Sequence, residues 1–110
     1  MTEGEIPVFV YGSLMRRGEY HHLMQQSKGR FMGEARLTKP YPLEFNDYPC
    51  LIDRPGDGVI VPGELYLLPD EQSLAILDEL EGHPDEYRRR PEPVLLGGET
   101  LNAWVYFYTL

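Results

Sequence analysis

Cysteine is nearly absent from this chain, whose 110 residues include one, Cys50. A single thiol forms no internal disulfide and cannot supply the several thiolates of a structural zinc site, so the fold has to depend on its packed core. Arg54 is the nearest basic residue in sequence, which gives little reason for a lowered thiol pKa. We therefore interpret Cys50 as a buried structural thiol in a protein of a reducing compartment.

Basic residues are outnumbered, with 10 lysines and arginines against 18 acidic side chains and a formal net charge of -8. An acidic surface repels a phosphate backbone, so nucleic-acid binding is not expected. The one basic run is Arg88–Arg90. We predict that it forms a strand edge whose alternate side chains pair with an acidic helix; the alternative is that one inward arginine meets an anionic substrate.

Long apolar runs are missing as well: the longest is Ala103–Tyr108, which is too short to cross a bilayer. Glu3 and Glu5 stand where a secretory signal would carry positive charge. We expect a cytoplasmic protein without a membrane segment. The length allows one core, so we predict a single domain over residues 1–110, as a monomer or a weak homodimer.

The residues that are present predict a folded α+β domain built mostly of short strands. Hydrophobic residues make up 42% of the chain and aromatic residues 12%, which excludes a disordered chain. Alternating and β-branched runs indicate the strands, and the pattern favours a strongly curved mixed sheet or a small barrel. The predicted strands are Ile6–Tyr11, Arg30–Leu37, Leu43–Phe45, Cys50–Ile52, Val59–Leu68, Pro93–Leu96 and Leu101–Tyr108.

Two of these strands carry a specific burial prediction. Ile6–Tyr11 is apolar throughout, which is typical of a strand buried on both faces. In Arg30–Leu37 apolar or small residues alternate with polar ones, which predicts one buried face. That face would carry Phe31, Gly33, Ala35 and Leu37.

One clear helix is predicted from Glu71 to about Leu80, with Asp70 as its N-cap and Gly82 as its stop; a shorter one is expected over Tyr20–Gln26. At about 100° per residue, the apolar side of the longer helix carries Leu74, Ile76, Leu77 and Leu80.

The same helical geometry separates the acids near the end of this helix. Glu81 falls between the directions of Leu74 and Leu77, whereas Glu79 points the opposite way and Asp78 lies toward solvent. Partial burial lifts the pKa of a glutamate from about 4.3 toward ~6 to 7, where it can take and return a proton near neutrality. Glu81 is therefore the candidate base; the alternative is a solvated side chain in a fraying last turn.

A second candidate is the loop Tyr11, Gly12, Ser13, Leu14 that follows the first strand. Glycine lets the backbone turn sharply, so that successive amide N–H groups can face one point and bind an anion. The alternative is an ordinary strand-ending turn in which Ser13 bonds its own backbone.

The remaining polar and aromatic residues give weaker signals. His21 and His22 are adjacent and lack the i, i+4 spacing of a zinc helix, and His83 is isolated, so no metal site is expected. Four aromatic residues are interpreted mainly as core and cross-strand packing, with one hydroxyl able to line a pocket. These are Tyr87, Trp104, Tyr106 and Tyr108.

Four segments, in order along nearly the whole chain, resemble the γ-glutamyl cyclotransferase-like family, most closely its γ-glutamylamine cyclotransferases. Specificity lies in combining a first strand that ends in YGSL with a much later glutamate in L-D-x-x-E-G. The segments are VFVYGSL (Val8–Leu14), PYPL (Pro40–Leu43), PGELY (Pro62–Tyr66) and LDELEGHPDEYRR (Leu77–Arg89).

The resemblance implies a small mixed β-barrel flanked by helices, and a reaction without a cofactor or metal. The α-amino group of a small γ-glutamyl substrate attacks its own γ-carbonyl, which releases 5-oxoproline and a free amine. The acid/base glutamate of the family falls on Glu81 and its substrate-binding loop on Tyr11, Gly12, Ser13 and Leu14. Tyr11 lines the pocket by resemblance, and we add Tyr87 and Tyr106 as our own expectation.

Two departures bear on substrate choice. Tyr20 stands where relatives often carry asparagine, and the chain ends at Leu110, directly after the last strand. We expect an open pocket that admits bulky amines such as a lysine side chain in a crosslinked peptide. Two other hypotheses remain: a non-catalytic module that binds a small carboxylate metabolite through the YGSL loop, and a domain whose acidic face docks a basic partner.

Overall fold

In the computed structural model, which describes residues 4–45 and 49–109, five strands close into a barrel in the order β1-β5-β2-β6-β7. Strands β1 and β7 pair in parallel where the barrel closes, and the other barrel pairs are antiparallel. The predicted α+β fold with a small mixed barrel is confirmed. The elements are β1 (Ile6–Val10), α1 (His21–Gln26), β2 (Arg30–Leu37), β3 (Leu43–Phe45), β4 (Pro49–Leu51), β5 (Pro62–Leu68), α2 (Glu71–Glu81), β6 (Tyr87–Leu96) and β7 (Glu99–Tyr108).

Alternation along the strands divides the core into two clusters. On β1, Val8 and Val10 pack in the cluster that contains both helices, while Phe9 packs in the other, which contains barrel residues and no helix residue. All three side chains are buried, so the prediction that this strand is covered on both faces is confirmed. The barrel interior and the layer under the helices therefore meet along β1.

Helix α2 begins and ends at the predicted signals. The Asp70 side chain accepts a hydrogen bond from the Ser73 backbone N–H at 2.8 Å, and Gly82 ends the helix with a left-handed φ of 66°. The helix includes Glu81, one residue beyond the expected end. Leu74 and Leu77 are buried against the barrel.

Strand β2 departs from the predicted burial. Ala35 and Leu37 are buried, but Phe31 is 38% exposed. A register shift between Phe31 and Gly33 disturbs the alternation, because a bulge moves the following side chains relative to those before it. The prediction for Phe31 is therefore wrong, since period-two alternation assumes an unbroken ladder.

Strand β6 is longer than predicted, since it starts at Tyr87 and not at Pro93. Pro91 and Pro93 lie where β6 pairs with β7 alone, and the ladder with β2 begins at Val94. A proline is tolerated at a position whose N–H faces no second strand. Strand β5, by contrast, starts later than predicted, at Pro62, and Val59 forms only an isolated bridge with Tyr41.

Glu3 and Leu110 lie outside the described residues. In residues 4–45 and 49–109, no helix has the length and apolar character needed to span a membrane.

An ion pair fastens the end of α2 to the barrel. Asp78 is not directed to solvent as predicted: its Oδ1 and Oδ2 accept hydrogen bonds from Arg89 Nε and Nη2 at 2.8 and 3.1 Å. The Tyr106 hydroxyl donates a further one to Oδ1 at 2.6 Å, and the Arg89 guanidinium lies 4.4 Å from the ring of Trp104. The predicted pairing of the arginine run with the acidic helix is confirmed for Arg89.

This pair should contribute measurably to stability. Burial alone would raise the pKa of Asp78, but the hydrogen bonds from Arg89 and Tyr106 outweigh it and lower the pKa. Asp78→Asn should therefore reduce the free energy of unfolding by about 2 kcal/mol near neutral pH. Because the folded pKa is lowered, this contribution is present above the ordinary aspartate pKa and is lost as pH falls below it.

Denaturant unfolding at pH 7 and pH 2.5 measures this difference. Glu79→Gln, an exposed change of equal charge on the same helix, is the control and should leave stability nearly unchanged. An equal loss in both variants at pH 7 would contradict the assignment.

Candidate active site

One cleft lies where β1 ends beside the C-terminal end of α2, and its empty volume is about 380 Å³ including the part open to solvent. Every site residue proposed from the sequence lines it, although these residues come from four separate parts of the chain. They are Tyr11, Gly12, Ser13, Leu14, Glu81, Tyr87 and Tyr106; Phe9, Val10 and Pro49 complete the wall.

Glu81 is the acid that faces this cleft. It is the last residue of α2 and is half-buried, so it is not a fully solvated side chain of a frayed turn. Burial, with a smaller effect of the negative charge of Glu86, raises the pKa of Glu81 to about 7. The carboxyl group can therefore exchange a proton with a ligand near neutral pH.

The loop from Gly12 to Leu14 lines the same cleft. None of its three backbone N–H groups donates a hydrogen bond to a backbone carbonyl group of the described residues. Its carbonyl groups, by contrast, are all occupied. Gly12 accepts from the Met15 N–H at 3.0 Å, Ser13 from the Tyr20 N–H at 2.8 Å, and Leu14 from His21 Nδ1 at 3.0 Å.

The glycine that this loop requires is Gly18, which the sequence analysis did not single out. Gly12 has no left-handed φ, and a Cβ there would make an ordinary contact of 3.4 Å with Pro49 Cγ. A Cβ on Gly18 would instead clash with the Ser13 carbonyl group. The chain bends at Gly12 as predicted, but the bend does not require a glycine there; the loop depends on the close approach of Gly18 to Ser13.

The buried carboxylate of Glu64 binds this loop through Arg16. Glu64 of β5 accepts hydrogen bonds from the Arg16 backbone N–H at 2.9 Å, from Arg16 Nε at 3.0 Å and from the Tyr66 hydroxyl at 2.9 Å. Burial opposes ionisation, but the bonds from Arg16 and Tyr66 lower the pKa of Glu64 overall. The Arg16 guanidinium also lies 4.1 Å from the ring of Phe31, which gives that exposed ring a partner.

Sequence reasoning missed Glu64 because no local pattern connects it to the loop. Glu64 belongs to the PGELY segment. The alternation of side chains along a strand does not by itself decide which face of the sheet carries this glutamate. Its partner Arg16 lies 48 positions earlier in the chain.

The three tyrosines build the wall of the cleft. The Tyr11 hydroxyl donates to the Tyr106 carbonyl at 2.5 Å, and the Tyr87 hydroxyl donates to the Pro49 carbonyl at 3.1 Å. Burial and, to a smaller extent, the charge of Glu81 raise the pKa of Tyr11 well above its usual value. Tyr11 therefore remains protonated near neutral pH.

The cysteine and histidines occupy other positions. Cys50 is buried, as predicted, with its Sγ 3.4 Å from the Tyr87 hydroxyl. His21 bonds the loop through Leu14, and His83 Nδ1 accepts from the Arg89 N–H at 3.3 Å. Throughout residues 4–45 and 49–109, no three His, Cys, Asp or Glu side chains are grouped so that they could hold a metal ion.

A second chamber adjoins the cleft. It shares Ser13, Glu81 and Tyr87 with the first and has an empty volume of about 500 Å³ including open solvent. Its further lining residues are Tyr20, Leu80 and Glu86. Glu81 therefore lines both spaces.

Comparison with known proteins decides the family. Residues 8–110 match the family described as γ-glutamyl cyclotransferase, AIG2-like. The chain belongs to this family. The predictions of this family and of a γ-glutamyl(amine) cyclotransferase-type enzyme are confirmed at the level of the family.

Several relatives of this cyclotransferase-family chain carry the name γ-glutamylaminecyclotransferase. Form A of Danio rerio is 36% identical over 110 residues, which cover 92% of this chain and 68% of the relative. The Homo sapiens protein is 36% identical over 88 residues, which cover 74% of this chain and 57% of the relative. The crystal structure of an AIG2-like protein from Mus musculus has a TM-score of 0.88 and 30% identity, and covers 97% of this chain and 79% of the mouse chain.

The first variant to test in this cyclotransferase fold is Glu64→Gln. Loss of the negative charge removes the ion pair with Arg16, so protection of the Arg16 amide against hydrogen exchange should fall roughly tenfold. Glu92→Gln is the matched control, because Glu92 is also buried in the barrel and pairs with Arg90 at 2.7 Å. Equal protection of the Arg16 amide in both variants would show that Glu64 does not hold the loop.

Glu81 should weaken the fold at alkaline pH. A folded pKa of about 7, raised from a usual 4.5, favours the protonated form, so stability is lost as pH rises through 7. Glu81→Gln should therefore raise the free energy of unfolding by up to about 3 kcal/mol at pH 8 and have little effect near pH 4. Chemical denaturation of both proteins at the two pH values measures this, and equal stability at pH 8 would contradict the raised pKa.

Proposed function

We propose that this protein converts a γ-glutamyl amine or γ-glutamyl amino acid into 5-oxoproline and the free amine. The observation that carries the proposal is the cleft lined both by Glu81, with its pKa raised to about 7, and by the loop residues Gly12, Ser13 and Leu14. One group can move a proton, and the others can stabilise a negative charge. Family membership and the names of the relatives support the same reaction.

The reaction needs neither water nor a redox partner. The α-amino nitrogen of the substrate forms a bond to its own γ-carbonyl carbon, which closes a five-membered lactam and moves an electron pair onto the carbonyl oxygen. When this pair returns, the bond to the amine nitrogen breaks. The α-ammonium nitrogen loses two protons in becoming the lactam N–H, and the departing nitrogen gains two and leaves as an ammonium group, so the atoms and charges balance.

Glu81 carries these protons. Its carboxylate accepts a proton from the substrate α-ammonium, which frees the lone pair for attack, and its carboxylic acid then donates a proton to the departing amine. The second proton of the attacking nitrogen passes to the released amine through the same carboxyl group. A group with a pKa of about 7 suits both steps, because neither protonation state is strongly favoured near neutral pH.

The loop N–H groups bind the negative charges of the substrate. Those of Gly12, Ser13 and Leu14 can hold the α-carboxylate or the developing oxyanion, and fixed donors need no reorganisation as the charge forms. Three features keep these donors in place: the hydrogen bonds to the loop carbonyl groups, the close approach of Gly18 to Ser13, and the bonds from Arg16 to Glu64.

The narrow cleft favours ring closure. Attack within one molecule requires the glutamyl chain to fold back on itself, and effective molarities of about 10⁵ to 10⁸ M are reached when such groups are well oriented. The buried rings of Tyr87 and Tyr106 give the cleft rigid walls.

The decisive variant is Glu81→Gln. We expect it to reduce 5-oxoproline release about 10² to 10⁴-fold, because Gln can neither accept nor return the proton. For the wild type, kcat/KM should rise about tenfold per pH unit below pH 7 and level off above it, since Glu81 has to be ionised to accept the first proton. Release is measured with a panel of γ-glutamyl amino acids, γ-glutamylamines and ε-(γ-glutamyl)lysine.

Glu79→Gln is the control and should retain the activity, because Glu79 is exposed and does not line the cleft. Binding of the same panel to Glu81→Gln separates catalysis from simple recognition. A folded wild type that binds these compounds without releasing 5-oxoproline would favour the carboxylate-binding module instead.

A further inference from the structure

The second chamber lies where the proposed reaction has to place its leaving group. Glu81 returns its proton to the departing amine, so this amine has to lie within reach of Glu81 and on the side away from the glutamyl group. The chamber shares Ser13, Glu81 and Tyr87 with the cleft, and its other lining residues do not line the cleft. A substrate that spans both spaces would present its scissile bond beside Glu81.

Glu86 brings a second negative charge to this chamber. Its backbone N–H donates to the Gly82 carbonyl at 2.9 Å. Its side chain folds over Gly82, since a Cβ on that glycine would lie 3.2 Å from Glu86 Oε2. The charge of Glu86 also acts on Glu81, which it helps to keep protonated.

The remaining walls suit an alkyl chain that ends in a positive charge. Leu80 offers apolar surface to methylene groups, and the ring of Tyr20 can contact a cation as well as an alkyl chain. Lysine, arginine and histidine are absent from the described lining of both spaces. A leaving group with a carboxylate would lie beside two acids, Glu81 and Glu86.

Tyr20 lines the chamber and is 38% exposed, so its ring is accessible to a ligand there.

We infer that, given the proposed function, the second chamber binds the leaving amine and that Glu86 selects alkyl amines carrying a second, terminal ammonium group. The selection is electrostatic, so it acts against leaving groups with a terminal carboxylate. Added salt should weaken it, because Glu86 is exposed.

Three γ-glutamyl amides test this inference, with 1,4-diaminobutane, pentylamine or 5-aminopentanoic acid as the leaving amine. They share one methylene chain and differ only in a terminal ammonium, methyl or carboxylate group. We expect kcat/KM to rank in that order, with roughly fivefold between successive members at low salt. The measurement is 5-oxoproline release at pH 8.5, where Glu81 is ionised.

Charge changes at position 86 should alter the ranking. In Glu86→Gln, the kcat/KM for the substrate with the ammonium group should become nearly equal to that for the substrate with the methyl group. In Glu86→Lys, the substrate with the carboxylate should have the highest kcat/KM. Glu79→Lys makes the same charge change on an exposed part of α2 outside both spaces and should keep the wild-type ranking. Circular dichroism verifies that each variant is folded.

The outcomes separate this inference from the proposed function. If the folded wild type turns over none of the three amides, the proposed function fails and the inference fails with it. If the amides are turned over without a ranking by charge, or if the ranking survives both Glu86 variants, only the inference is overturned.

Discussion

The burial of strand β1 on both faces is the constraint on which the rest of this structure depends. Phe9 fills the barrel interior while Val8 and Val10 carry the layer under the helices, so the strand can lie only between them. Its pairing with β5 and β7 closes the barrel. Because β1 ends at Val10, the loop that follows emerges beside the helix packed on the same strand, and the cleft forms at that junction.

Carboxylates near the cleft lie in contrasting environments. Asp78 and Glu64 are held ionised by arginine and by tyrosine hydroxyl groups, which outweigh the effect of their burial. Glu81, one helical turn after Asp78, is half-buried beside another negative charge, and its pKa rises. The residues that fix the geometry thus keep one charge state near neutral pH, while the residue proposed to react can change its own.

Much of this arrangement could be predicted from local sequence patterns. The cap at Asp70, the stop at Gly82 and the apolar stripe of α2 are local signals, so the helix and the direction of Glu81 follow from them. The alternation in Arg30–Leu37 failed at Phe31 because a bulge is set by the neighbouring strands. The prediction for Asp78 was wrong because its partner Arg89 lies on β6, and the contact between them depends on the pairing of β6 with β7.

Family resemblance and local geometry contributed differently to the site. The resemblance joined the YGSL loop to Glu81, which no spacing rule could do across so many residues, and the fold brings both to one cleft. Glu64 lies in one of the resemblance segments, but neither source gave Glu64 or Gly18 a role in holding the loop, because each acts through a contact made only in the folded chain.

The contact between Gly18 and Ser13 also bears on how such a site can diverge. From Ser13 to Gly18 the chain closes into a ring, and a residue larger than glycine at Gly18 would clash with the Ser13 carbonyl group. Tyr20 and Glu86 lie outside this ring. Sequence drift at the outer positions can therefore alter which compounds fit while the ring and its donors stay as they are.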